Sequence, residues 1–172
     1  MSSRQPVETA DLDIYGAGEM PWSRAEEALH KGSVDPATPW FLGTVRPDGR
    51  PHSAGIGVAL LDGELYFTSG AGARKARNTR GQPGVHALRA RRRHRPRARG
   101  SRRAGHRPAV LEAVAAVYRD GGWPAEVEGD ALTAPYSAQS AGPPPWQLYR
   151  FTLVTAFGVG LREPFGASRW RF

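Results

Sequence analysis

Residues 40–78 read WFLGTVRPDGRPHSAGIGVALLDGELYFTSGAGARKARN, and this stretch decides the fold. Trp40 to Val45 has the composition of a strand, Pro47-Asp48-Gly49 is a turn, and His52 to Leu60 is a long second strand. Asp62-Gly63 marks a further hairpin, from which Leu65 to Thr68 returns as a third strand. Ser69-Gly70-Ala71-Gly72 is too rich in glycine to stay in a ladder. The spacing therefore predicts three strands of one meander, followed by a glycine-rich turn and a basic segment able to begin a helix.

On the N-terminal side, residues 1–21 carry Gly16, Gly18 and Pro21 without periodicity and read as an extended arm. Ser23 to Lys31 reads as a helix, with Ser23 as N-cap, Glu26 at capping-box spacing, Ala25, Ala28 and Leu29 on one face, and Gly32 as the stop. On the C-terminal side, Pro108 to Arg119 is a second helix with Val110, Leu111, Val114, Val117 and Tyr118 at helical spacing, ended by Asp120-Gly121-Gly122. Residues 123–145 hold two turn clusters and finish in the stiff Gly142-Pro143-Pro144-Pro145. Trp146 to Val159 supplies another long strand. Trp40, Trp146 and the Val110 face are read as core. The expected class is α+β, mainly antiparallel β, a small barrel with two or three peripheral helices, and residues 22–172 are expected to form a single domain.

A chain of 172 residues with 40% hydrophobic composition has enough apolar material for one core. Its longest apolar run, Ala113 to Tyr118, is six residues, and no signal-peptide core opens the chain, so a soluble, cytoplasmic protein without membrane contact is expected. Absence of cysteine excludes disulfide scaffolds, thiolate metal sites and cysteine nucleophiles, and no metal set is expected. The net charge of +8 is a local property. Ten of the 22 arginines fall between Arg89 and Arg107 with no acid among them, and the remaining residues carry −2, ten fewer than the total.

The chemistry is sought at Thr68 to Asn78. Backbone N–H groups of the glycine turn, the hydroxyls of Thr68 and Ser69, and the charges of Arg74 and Lys75 make a receptor for phosphate. Arginine can grip two phosphate oxygens while lysine acts as a point charge. The spacing matches neither a Walker loop nor a dinucleotide fingerprint. The competing reading is a solvated basic turn. His52 is a lone strand histidine, read as a half-buried polar residue with an acid-base role as the rival, and no catalytic side chain is assigned.

The RPDGRPH hairpin (residues 46–52), GELYFTSG, RKARN and the terminal RWRF, within Trp40–Asn78 and Pro108–Phe172, together resemble the pyridoxamine 5'-phosphate oxidase-like proteins, flavin and deazaflavin oxidoreductases on a split β-barrel. The ending AFGVGLREPFGASRWRF is similar to that of actinobacterial members. The resemblance implies FMN as cofactor, with the deazaflavin coenzyme as alternative, and hydride transfer to or from a small-molecule substrate. It implies that the backbone of Ala54 to Val58, and so Gly55, Ile56, Gly57 and Val58, runs along the flavin ring. Tyr66, Phe67 and Thr68 would border the ring, and Arg74 and Lys75 would hold the phosphate. Trp170 would pack near the ring, and Arg169 or Arg171 would face an anionic substrate or cofactor. Ala73 departs from the family, where Ser is common. A homodimer is implied as well. A barrel that only stores or senses a flavin or haem is the non-enzymatic alternative.

Residues 84–108, GVHALRARRRHRPRARGSRRAGHRP, stand where that family has two amphipathic strands, and they show no alternation. Like charges directly opposite one another destabilise a ladder, so these strands are expected to be disrupted. One reading is a basic arm for nucleic acid, but no aromatic residue is interleaved to stack on bases. The reading that fits better is a shifted frame over about residues 79–107, with compensating indels near each end. CGN codons read one base later give Asp, Val, Ala, Gly or Glu, and the segment can become ARDVDIDLVLEGRAARVTDP, which alternates and turns as two strands should. The nucleotide sequence is expected to show CGN codons through Arg89–Arg107 and a strand-like alternate frame. Other arginine codons there would refute the shift.

Overall fold

The computed structural model describes residues 4–33, 39–81, 84–89, 97–99, 102–103 and 107–172. In chain order the elements are β1 (Glu8–Asp11), α1 (Trp22–Gly32), β2 (Trp40–Val45), β3 (Pro51–Ile56), β4 (Val58–Leu61), β5 (Glu64–Ser69), α2 (Arg74–Gly81), β6 (His86–Arg89), β7 (Arg97–Arg99) and β8 (Arg102–Arg103). They continue with α3 (Pro108–Asp120), β9 (Glu126–Glu128), β10 (Ala131–Thr133), a single 3-10 turn at Gln139–Ala141, β11 (Gln147–Phe151), β12 (Thr155–Gly160) and β13 (Gly166–Arg171). Among the described residues this is an α+β arrangement with three α-helices and antiparallel strand pairings.

The two predicted hairpins form. Gly49 takes a positive φ in the first turn, where its N–H donates to the Arg46 carbonyl at 2.9 Å. Asp62 and Gly63 both take positive φ in the second, the conformation that lets a two-residue turn follow the twist of its strands. The single meander does not form. β3 pairs with β2, whereas β4 pairs with β5, so the run from His52 to Leu60 leaves one sheet and enters another at Gly57. One four-stranded sheet has the order β3-β2-β6-β7 and the other β4-β5-β11-β8. The strand expected over Trp146–Val159 divides in the same way. β11 lies against β5 and β12 against β13, because Leu153 turns into the core between them.

Several local expectations are corrected. α1 begins at Trp22 with Pro21 as its cap residue, and Ser23 makes no capping bond, because burying the Trp22 indole draws the first turn back by one residue. The N-terminal arm is held by β1, which pairs along β13. The turn cluster after Pro124 contains a short hairpin, β9–β10, with Gly129 at positive φ. The arginine-rich segment does form strands, though they are of four, three and two residues. Register explains the pairing of β6 with β7: His86 lies opposite Arg99, Ala87 opposite Ala98 and Leu88 opposite Arg97, so no arginine opposes another there. On its other side β6 meets the uncharged Trp40–Gly43. Arg102 of β8 does face Arg150. The other residues of the segment lie outside those described.

β5 separates two apolar clusters by its alternation. Leu65 and Phe67 enter the larger core with Met20, Trp22, Leu42, Phe151 and Trp170, while Tyr66 joins Leu111, Val114, Tyr118 and Leu148 beneath α3. Phe67 stacks on its cross-strand partner Tyr149 at 5.1 Å. In the larger core β12 approaches Trp170 so closely that a Cβ at Gly158 would stand 2.3 Å from Met20 Cε and 2.8 Å from Trp170 Cη2. Gly158→Ala is therefore expected to destabilise the chain by about 1–3 kcal/mol through overpacking, read as a lower urea midpoint with unchanged slope.

Candidate functional site

The crossing at Gly57 opens the site. Where β3 ends and β4 departs, the two sheets diverge, and a cavity of about 410 Å³ lies against the corner. Trp40 and Pro39 at the start of β2 form one wall, Ile56, Gly57, Val58 and Thr68 another. The end of α3 from Tyr118 to Trp123 and the segment Tyr136–Ala138 close the rest. A Cβ at Gly57 would touch only Tyr118 at 3.8 Å, and one at Gly55 would meet nothing within 4 Å, so this strand presents bare backbone. Tyr118 supports the corner from below. Its phenol lies 3.2 Å from the Gly57 carbonyl and 3.4 Å from the Tyr66 carbonyl, and the Thr68 hydroxyl bonds to it. Burial pushes the Tyr118 phenol far above its ordinary range, so it stays protonated. Trp123 meets Tyr118 edge-on at 5.0 Å and donates its indole N–H to the Tyr136 carbonyl at 2.7 Å.

Of the residues assigned from sequence, Ile56, Gly57, Val58 and Thr68 line this cavity, and Gly55 is next in the chain. Tyr66 lies behind Thr68 in the α3 cluster, where burial raises its phenol. Phe67 points to the opposite face of β5, since successive side chains alternate across a strand. Trp170 is wholly buried in the larger core, edge-on to Trp22 at 5.3 Å, and is not among the cavity's lining residues. Arg169 and Arg171 both bind the Glu8 carboxylate on β1, at 2.7 and 3.1 Å. Tyr118, Trp123 and Tyr136 were missed. Helical spacing marked Tyr118 only as part of an apolar face, and nothing local to Trp123 or Tyr136 distinguishes a cavity wall from a loop aromatic.

The phosphate-receptor residues divide. Arg74 is exposed, while Lys75 is only 2% exposed and its ammonium donates to the Ser140 carbonyl. Burial holds the Lys75 pKa below the usual lysine value. The Gly70 N–H donates to the Ala141 carbonyl at 2.7 Å, and a Cβ on Gly70 would stand 2.8 Å from that oxygen. The buried Ser69 hydroxyl turns to the Gly70 carbonyl at 3.3 Å. Ser140 also donates its hydroxyl to the Gly55 carbonyl at 3.0 Å, which joins the lysine to the cavity strand through one residue.

Beside Lys75 lies a second polar group. Asn78 on α2 donates to the Thr44 hydroxyl at 2.9 Å, and that hydroxyl lies 3.2 Å from His52 Nδ1. Burial first, and then the charges of Arg46, Arg74 and Lys75, hold the His52 pKa below its ordinary value.

Comparison with known structures follows this geometry. A pyridoxamine 5'-phosphate oxidase-related, FMN-binding protein from Nostoc punctiforme is 23% identical over 88% of this chain and 91% of its own, with a TM-score of 0.56. The fold is the split barrel. A conserved hypothetical protein, Rv2991 of Mycobacterium tuberculosis, shares that fold at 20% identity over 94% of this chain and 91% of its own, with a TM-score of 0.58. So does a heme binding protein from Mycobacterium smegmatis, at 15% identity over 86% of this chain and 58% of its own, with a TM-score of 0.56. No protein-family model and no curated protein matches the chain. Among the described residues no helix is long and apolar enough to cross a membrane.

The histidine makes stability depend on pH. An unfolded chain binds a proton at His52 near pH 6.5, whereas the folded chain refuses it until a lower pH, so folding weakens as pH falls through that window. Unfolding midpoints between pH 7.5 and 5.5 are expected to fall less steeply in His52→Gln than in the unaltered chain.

Proposed function

We propose that the chain binds FMN and is an oxidoreductase that moves a hydride to or from a small organic substrate. The observation that carries the reading is a buried, carbonyl-held lysine joined through Ser140 to the bare backbone that walls an apolar cavity. The residues fit a planar heterocycle with a phosphorylated tail. Aromatic and aliphatic groups surround a cavity within the range that takes small ligands, glycine backbone leaves a flat strand edge, and among the described residues the lysine is bonded to a carbonyl and to no carboxylate.

A flavin supplies the hydride chemistry when bound. The chain's own tasks are then few. The backbone of Gly55–Val58 orients the ring and offers it hydrogen bonds, Tyr118 and Thr68 keep that backbone in place, and Trp40 and Trp123 exclude water. Lys75 holds the phosphate as a point charge, and Arg74, free to turn on the surface, completes the grip. Trp170, Arg169 and Arg171 have no part in this reading of one chain, since core packing and Glu8 already engage them.

The deazaflavin coenzyme is the alternative ligand, because it makes the same demand on Lys75. Absorption of the loaded protein separates the two. Haem is less suited, since no histidine, methionine or cysteine lines the cavity. The proposed working state is a homodimer, on the resemblance to the family.

Lys75→Met tests the reading. Removing a buried cation is expected to raise stability by about 1–2 kcal/mol, the order found when buried charges give way to apolar side chains. FMN affinity is expected to fall more than tenfold, while riboflavin, which has no phosphate, binds as before. Flavin fluorescence quenching reads both ligands. An unaltered chain that quenches neither flavin ends the proposal.

A further inference from the structure

We propose that His52 belongs to the anion-binding surface and presents its Nε2–H, beside Arg46, Arg74 and Lys75, to a phosphoryl group. The ligand class rests on the reading above, and the test below keeps the two apart.

Asn78 and Thr44 are each 3% exposed, so their mutual bond is shielded from water. The Asn78 amide nitrogen can only donate, so Thr44 Oγ1 accepts from it and keeps its own proton to give away. Two acceptors are in reach: His52 Nδ1 at 3.2 Å and the His52 carbonyl at 3.5 Å. The nearer is Nδ1. In the proposed arrangement the hydroxyl donates to this nearer acceptor, which puts the neutral ring's proton on Nε2; in the opposite tautomer Thr44 Oγ1 would accept from Nδ1–H and donate to the His52 carbonyl. The relay Asn78–Thr44–His52 thus sets the tautomer and fixes the ring, leaving Nε2–H as a donor without a partner among the described hydrogen bonds.

The groups that act on this ring are all cations: Arg46 at the end of β2, and Arg74 and Lys75 in the first turn of α2. The acid of the β2–β3 hairpin, Asp48, is gripped by Arg50 through two bonds of 2.6 and 2.9 Å. Among the described residues the buried Arg46 Nε has no partner. Three cations from β2 and α2, Arg46 among them, thus act on the His52 ring of β3, and among the described residues no carboxylate acts on it. A patch of one charge sign raises the local concentration of counter-ions.

An anion placed there offsets the cationic repulsion that, after burial, lowers the His52 pKa. By linkage, phosphate binding and His52 protonation must favour one another, so the imidazole pKa rises when phosphate binds.

The test follows the His52 ring by long-range ¹H–¹⁵N correlation in the full chain, titrated over pH 5–8 with no ligand, with inorganic phosphate, with FMN and with riboflavin. Without ligand the Nε2–H tautomer is expected, which Thr44→Val should convert to a mixture. Phosphate or FMN should raise the midpoint by at least about half a unit, and riboflavin should leave it unchanged. In His52→Ala the FMN Kd should rise about tenfold, the loss of one hydrogen bond to a charged group, with riboflavin affinity retained. A shift with phosphate but no flavin binding would sustain the anion site and overturn the flavin reading. A midpoint indifferent to both phosphate and FMN, or an Nδ1–H tautomer, would overturn the proposal.

Discussion

The Gly57 carbonyl rests on the phenol of Tyr118, and from that contact the two four-stranded sheets part. A strand that continued straight through residue 57 would keep β3 and β4 in one ladder and close the space between them. A Cβ at Gly57 would meet only Tyr118 at 3.8 Å, an ordinary contact, so the bend is held from α3, where Tyr118 reaches the carbonyls of both Gly57 and Tyr66. The cavity is thus a consequence of topology. Its apolar walls are side chains that would otherwise be core, and Trp40 serves both purposes, buried at the edge of β2 and facing the opening.

Charge is distributed around this cavity with equal economy. Lys75 is deeply buried, and among the described residues its ammonium is met by a carbonyl dipole and no carboxylate. The carbonyls of Ser140 and Ala141 occupy the lysine and the Gly70 N–H, the same donors that would hold phosphate oxygens. Segment 136–142 therefore forms one continuous wall, apolar beside the cavity at Tyr136–Ala138 and electron-rich beside the cations. Arg46 extends the cationic side toward the β2–β3 hairpin, with the neutral His52 ring beside it.

The arginine-rich segment stands apart from that economy. Its strands are short where they are described, and β6 is accommodated because its neighbours are the uncharged β2 and a staggered β7. Val85 and Ala87 still reach the core. β6 and β7 pair with no arginine opposite another, whereas the two-residue β8 sets Arg102 opposite Arg150 of β11.

How much could be read without coordinates follows from the range of the forces involved. Turn chemistry at Asp48-Gly49 and Asp62-Gly63, the helix at Pro108, and the basic start of α2 are local, and the amino-acid order determined them. The same order identified Ile56, Gly57, Val58 and Thr68, which do share one cavity. Helix α1 was legible but its cap was not, since Trp22 enters the helix to reach a core built from distant strands. The division of His52–Leu60 and of Trp146–Val159 between sheets was hidden, because β composition is the same on either side of a corner. Period-two alternation excluded Phe67 from the cavity once β5 had a definite neighbour on each face. Trp170, Arg169 and Arg171 look like site residues in a terminal motif, yet Met20, Trp22 and Glu8, some 150 residues away, claim them. Tyr118, Ser140 and the Asn78–Thr44–His52 relay became visible only in three dimensions. Hydrogen bonds between residues far apart in the chain leave no periodic trace in it, so tertiary structure alone decided which donors meet which acceptors.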